Sequence, residues 1–396
     1  MPNVNALKYE GVASTTLFIG FLASLPIQFV QLGIAQPAHL WAVLALVFLA
    51  RDLRVTRVEC FVFLLFISVA LLNTLLDYPR IKAVEQVSKF VLVYPVFYLT
   101  GRRLGLMFRR RDLPYGNFAV LIFILAEWMI QIFEVPTLYQ QIDFGLGAIH
   151  GTFKERNWLA IFAFFLSYLL YVKKPSSIRS ATLFFGLMLA VTYLTESKTV
   201  LVACGIAILA NTPGRTMLKG TLLTVGLLFY LAWFSSELSG QLLEVRLEEE
   251  RGLAFQEGLS LVLRNPLGYG LGFVEAYFSS LSFDIRGLGE GTNSLFCAPL
   301  DLWVIASAAG LVFWAVFFLG MGIQAVPLLV PIAAWSLLNP LQQSEIVYFF
   351  CGILVSWRGL KMPQVAGSEH HDIWTGRSVR LAKKVAGDQA RLTSSS

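Results

Sequence analysis

The sequence predicts an all-α integral membrane protein of about twelve transmembrane helices, with one large extramembrane segment containing an amphipathic helix. Three observations predict it. The 396-residue chain is 56% hydrophobic and only 14% charged, where a soluble domain carries about a quarter charged residues. Apolar blocks long enough to cross a bilayer as helices recur along most of its length, and none alternates as a barrel strand does. A single long charged stretch, residues 237–294, interrupts them.

The apolar blocks fall at about 12–31, 36–50, 58–76, 86–100, 115–133, 157–172, 181–195, 199–210, 220–236, 295–322, 324–338 and 346–357. Short ones such as 199–210 need flanking polar residues to reach the ~20 residues of a crossing helix. The first block reads as a span and not as a signal peptide, because no short apolar region followed by a small-residue cleavage site precedes it. The basic stretches RDLRVTR (51–57), GRRLGLMFRRRD (101–112), KKPSSIRS (173–180) and NTPGRTMLK (211–219) all fall on one side when spans alternate. The positive-inside rule makes that side cytoplasmic, and both termini lie there too. The chain then divides into helices one to nine (1–236), an outer segment (237–294), helices ten to twelve (295–360) and a basic tail (361–396). The tail is expected to be mostly disordered, near anionic lipid.

The net charge of +6 is accounted for by these loops, so no nucleic-acid partner is expected. Cys60, Cys204, Cys297 and Cys351 lie in or beside apolar runs at unrelated spacings and read as buried structural thiols. No His, Asp and Glu cluster has ligand spacing, so neither a metal nor another cofactor is expected.

The opposite side carries cations that run against the charge bias. These are Arg80 and Lys82, Lys154 and Arg156 beside Asn157 in HGTFKERNWLA, and Lys198 in the short ESK connection. Cations kept on the outer face are candidates for holding an anion. In LLEVRLEEERGLAFQEGLSLVLRNP, residues Leu243, Leu247, Phe255, Leu259 and Val262 recur at three-to-four spacing, which predicts an amphipathic helix able to lie on the membrane. Pro266 and the glycines of NPLGYGLGF end it. Plainer readings stand beside these. Arg251 has Glu248, Glu249 and Glu250 as neighbours, Lys198 can snorkel at a span end, and Lys154 and Arg156 can anchor the interface. His150 reads as a loop residue. Glu127 inside an apolar block reads equally as a functional carboxylate or as a buried hydrogen-bond partner. Trp158, Trp303 and Trp357 read as interfacial belt residues.

GTFKERNWLA (151–160), TESKTVLVACG (195–205), RGLAFQEGLSLVLRNPLGYGLGF (251–273) and GTNSLFCAPLDLW (291–303) follow in an order and spacing that resembles the O-antigen ligase/O-antigen polymerase superfamily, from about Gly151 to Leu311. Gly151, Asn157 and Ala160 fit its G-x-F-x-x-x-N-x-x-A stretch. Lys198 sits where many members carry Arg. Arg251 stands fifteen residues before Pro266, as the family's Arg does. Asn293 fits the Asn of a His-Asn pair, Thr292 replaces its His, and Asp301 follows eight residues on. Thr292 favours a polymerase over a ligase.

The resemblance implies a metal-independent, inverting glycosyltransferase of the bacterial inner membrane, active at its periplasmic face. Its donor is a glycan on undecaprenyl diphosphate. The lipid bilayer and a chain-length regulator are the further candidate partners. A departing diphosphate gathers negative charge that fixed cations stabilise, most strongly where water is excluded. Arg251 is the catalytic cation, with Lys154, Arg156, Asn157, Lys198, Thr292, Asn293 and Arg80 as substrate-binding candidates. Glu290 or Asp301 is the candidate base for the acceptor hydroxyl. The alternatives are a ligase passing glycan to lipid A core or protein and, from another class, a transporter, against which the absence of an internal repeat weighs.

Overall fold

The computed structural model describes residues 19–27, 36–49, 55–76, 81–110, 115–133, 148–153, 156–175, 177–212, 214, 216–233, 250–280 and 294–357. The described residues are helical and contain no strand. In chain order the helices are α1 (Pro37–Leu49), α2 (Arg57–Leu76), α3 (Ile81–Ser88), a π-helical turn (Lys89–Val93), α4 (Tyr94–Arg110), α5 (Gly116–Ile132), α6 (Arg156–Lys173) and α7 (Ile178–Thr195). They continue with α8 (Thr199–Asn211), α9 (Thr216–Trp233), α10 (Glu250–Arg264), α11 (Phe273–Ser280), α12 (Ala298–Phe317), α13 (Val326–Ser336) and α14 (Glu345–Ser356).

α2, α7 and α12 are long and apolar enough to cross a membrane, and α5, α8, α13, α14 and most of α9 are shorter apolar helices. These mark a membrane protein. The predicted boundaries hold to a few residues for α5 to α9 and for α13 and α14. They fail at GRRLGLMFRRRD, expected as a loop: α4 stays helical to Arg110. The reason is packing against α14. A Cβ on Gly101 would lie 2.0 Å from the Phe349 carbonyl oxygen, and one on Gly352 would lie 2.1 Å from that of Tyr98. Gly101 and Gly105 are thus a small-x-x-x-small seam that brings two backbones together, and Arg102 is neutralised inside by Glu59.

The ends of the helices can be ordered from a few bonds. Asn211, the last residue of α8, donates to the carbonyl of Pro327 at the start of α13 (2.9 Å). Tyr168 of α6 donates to that of Leu328 (2.9 Å). α8 and α13 pack along their lengths, so they are antiparallel, and Lys198 shares an end with Leu338. That end is called upper here. Glu59, Arg102 and the start of α2 lie at the lower end.

α12 is broken near its upper end. Ala306 (φ −138°) and Ser307 (φ 58°, ψ −145°) leave the helical region, which frees the carbonyls of the buried Val304 and Ile305. The NPLGYGLG loop supplies the donors. Tyr269 N donates to Val304 O (2.7 Å) and Gly270 N to Ile305 O (3.0 Å). Ser307 Oγ donates to Pro266 O (2.7 Å). Asn73 of α2 bonds both sides, to Leu267 O (2.7 Å) and Ile305 O (3.3 Å). Gly270 (φ 87°) touches α2 so closely that a Cβ would sit 2.4 Å from Thr74 N. The glycine turn therefore serves tight backbone packing.

Candidate functional site

Two groups of the predicted residues meet at the upper end. The first forms around Asp301 in the first turn of α12, 1% exposed. Its Oδ1 accepts from Leu295 N (2.8 Å). Its Oδ2 accepts from Ser294 Oγ (2.7 Å) and Gln342 Nε2 (2.5 Å). The carboxylate thereby folds residues 294–296 back over the helix start and ties them to the Leu341–Gln343 turn. Phe296, held between by its amide bond to Ser294 Oγ (2.9 Å), takes a left-handed φ of 57°. Non-glycine residues occupy that region only under constraint, often at functional sites.

Arg251 reaches the first of these segments at Phe296 and, on its other side, Leu338 just after α13. Its guanidinium lies 5.3 Å from the Phe296 ring centroid, and Nη1 donates to the Leu338 carbonyl (3.4 Å). α10 brings it there by burying Ala254, Leu261 and Val262 against Leu295, Leu300 and Val304. Gly258 allows the approach, since a Cβ would meet Leu300 Cδ2 at 2.7 Å. Phe255, Leu259 and Leu263 face away, at helical spacing, and are exposed. The amphipathic helix thus has two apolar sides, one against α12 and one outward. Nearby, burial and the Glu257 carboxylate hold the Tyr277 hydroxyl above its ordinary pKa, and it donates to Glu257 Oε1 (2.6 Å).

The second group joins α6, α7 and the HGTF loop. Arg156 Nη1 pairs with Glu196 Oε2 (2.8 Å), both side chains nearly half exposed. Ser197 Oγ donates to Asn157 Oδ1 (3.1 Å). Lys198 follows, directly before α8, and Glu196 has a left-handed φ of 52°. Glu127 proves to be a clamp: Oε2 accepts from Thr152 N (2.6 Å) and Oε1 from Thr152 Oγ1 (2.9 Å). A Cβ on Gly151 would lie 2.1 Å from that carboxylate, which explains the glycine. His150 is a loop residue whose amide donates to Gln131 Oε1 (2.8 Å).

Lys154, Arg80, Glu290, Thr292 and Asn293 lie outside the described residues, as do 237–249 and the tail. Lys82 lies in α3. Trp357 is a correction to the belt reading: it is 5% exposed and donates to Gly105 O (2.7 Å), because α14 closes on α4 there. Cys204, Cys297 and Cys351 are buried, and Cys60 is exposed. Sequence reasoning missed Gln342, Phe296 and the ion pair of Lys89 with Glu85 (2.7 Å). The polar run NPLQQSE (339–345) between two apolar blocks was the signal for Gln342. No family model, no curated protein and no solved structure matches this chain.

Proposed function

We propose that the chain is a polysaccharide polymerase, for O-antigen or exopolysaccharide, at the periplasmic face of the bacterial inner membrane. It transfers an undecaprenyl-diphosphate-linked glycan to an acceptor sugar with inversion. The observation that carries this reading is that Arg251 docks on Phe296, in the segment that Asp301 organises, and on Leu338 just after α13, at the end of the helices where Lys198 and Arg156 also lie. Charge supports the orientation. Arg57, Arg102, Arg103, Lys173, Lys174, Arg179 and Lys219 lie toward the lower end, where Glu59 is the one acid among the described residues. A cation-rich end is cytoplasmic by the positive-inside rule, which puts the upper end outside.

In this reading Arg251 and Lys198 face the diphosphate, and Arg156 and Asn157 line the approach. Arg offers paired donors to phosphate oxygens. The acceptor hydroxyl attacks the anomeric carbon, the bond to the diphosphate oxygen breaks, and undecaprenyl diphosphate leaves with the electron pair. The hydroxyl proton passes to a carboxylate. Both Asp301 oxygens are already occupied by donors, which favours a positioning role for Asp301 and Glu290 as the base. Glycan profiling of a deletion strain tests the reading. Accumulated single lipid-linked repeats support a polymerase. Loss of only the lipid A- or protein-attached product supports a ligase. Unchanged repeat and polymer pools overturn both and favour a transporter.

A further inference from the structure

A cavity of about 200 Å³ lies between α2, the π-helical turn, α4, α12 and α14, and none of the Arg251 or Asp301 contacts lines it. Glu59, Cys60 and Phe63 of α2 line it, with Phe90, Tyr98 and Phe317 among the facing side chains. Its lining side chains are mostly aliphatic and aromatic. Glu59 presents no charge to it, because Thr56 N (2.7 Å), Thr56 Oγ1 (2.5 Å), Tyr98 and Arg102 all donate to its carboxylate. The buried Tyr348 hydroxyl, without a hydrogen-bond partner among the described residues, is a polar spot in this mainly apolar lining, and such a space left empty forfeits dispersion contacts.

The neighbouring surface says what fills it. On α2, Phe61 and Leu64 are exposed, and on the π-helical turn Leu92 is exposed. In a membrane protein these side chains meet hydrocarbon. Cys60, which lines the cavity, is itself exposed on the same helix. Arg57, also exposed, stands one turn below Cys60 at the cation-rich lower end, where an anionic headgroup is favoured. The π-helical turn sets Phe90 into the wall, with its ring 5.3 Å from that of Phe66. Such turns occur frequently at functional sites.

We propose that this cavity holds one acyl chain of an anionic phospholipid, entering from the lower leaflet between α2 and α4 with its phosphate near Arg57. The site is separate from the glycan chemistry of the upper end. The test uses the full chain in nanodiscs of phosphatidylglycerol and phosphatidylethanolamine that contain a phosphatidylglycerol with a photoreactive acyl chain. After irradiation, adducts are mapped by mass spectrometry. Adducts on peptides 55–63 and 90–99 are expected to exceed, severalfold, those on the exposed Leu227–Leu228 face of α9. Cavity-filling Cys60→Trp and Leu99→Phe should each lower the first set and leave the second unchanged. Equal labelling of both faces, or cavity adducts indifferent to both substitutions in protein that remains monodisperse, overturns the proposal. Loss of the cavity adducts on adding undecaprenyl phosphate overturns the acyl assignment in favour of an isoprenoid chain.

Discussion

Gln342 Nε2 donates to Asp301 Oδ2 at 2.5 Å, joining the turn before α14 to the first turn of α12. The same carboxylate holds Ser294 and Leu295. Removing it strands three donors, of which the buried ones each cost about 1–3 kcal/mol. Asp301→Ala is therefore expected to destabilise more than Gln342→Ala, and Asp301→Asn to fall between. Thermal unfolding in detergent measures the order; equal midpoints for all three would remove the organising role of Asp301.

Glycine substitutions separate packing from flexibility. Gly352→Ala puts a methyl 2.1 Å from the Tyr98 carbonyl, and Gly270→Ala puts one 2.4 Å from Thr74 N at a positive φ. Both should lower the yield of folded protein. Gly186→Ala, in the middle of α7 with nothing within 4 Å, should be neutral or stabilise by up to about 1 kcal/mol. Size-exclusion profiles and unfolding midpoints report the contrast.

The Glu59–Arg102 pair is buried, with side chains 1% and 10% exposed. Breaking one partner of such a pair typically costs about 3–5 kcal/mol, whereas replacing both by apolar residues is often neutral. Glu59→Leu alone should unfold at markedly lower temperature, and Glu59→Leu combined with Arg102→Met should regain most of the loss. A double variant no better than the single one contradicts this account of why α4 continues through GRRLG.

Arg156→Ala tests a surface cation. Its pair with Glu196 is half exposed, and such pairs contribute less than about 1 kcal/mol. The unfolding midpoint should hardly move while polymer length falls; an unchanged polymer would make Arg156 an interface anchor only.

The helical class and the positions of most described apolar helices were legible because hydropathy records what the bilayer demands. Three features were not. GRRLG looked like a cytoplasmic loop since its glycines serve a partner helix distant in sequence. The break at Ala306–Ser307 has no local signal, because its hydrogen bonds come from residues 266–270. Glu127 looked like a lone intramembrane charge, and only the fold brings Thr152 to it. Order along the chain could place Arg251 near Asp301 in a motif, but the link through Phe296 and Leu338 needed three dimensions.

The central claim is that cations at the upper end hold a departing lipid diphosphate. Purified protein in liposomes, supplied with a single undecaprenyl-diphosphate-linked repeat, tests it directly. Longer lipid-linked chains and free undecaprenyl diphosphate should appear together, and Arg251→Ala should abolish both while remaining folded. Elongation undiminished in that variant, or no elongation by the unaltered protein, would contradict the account.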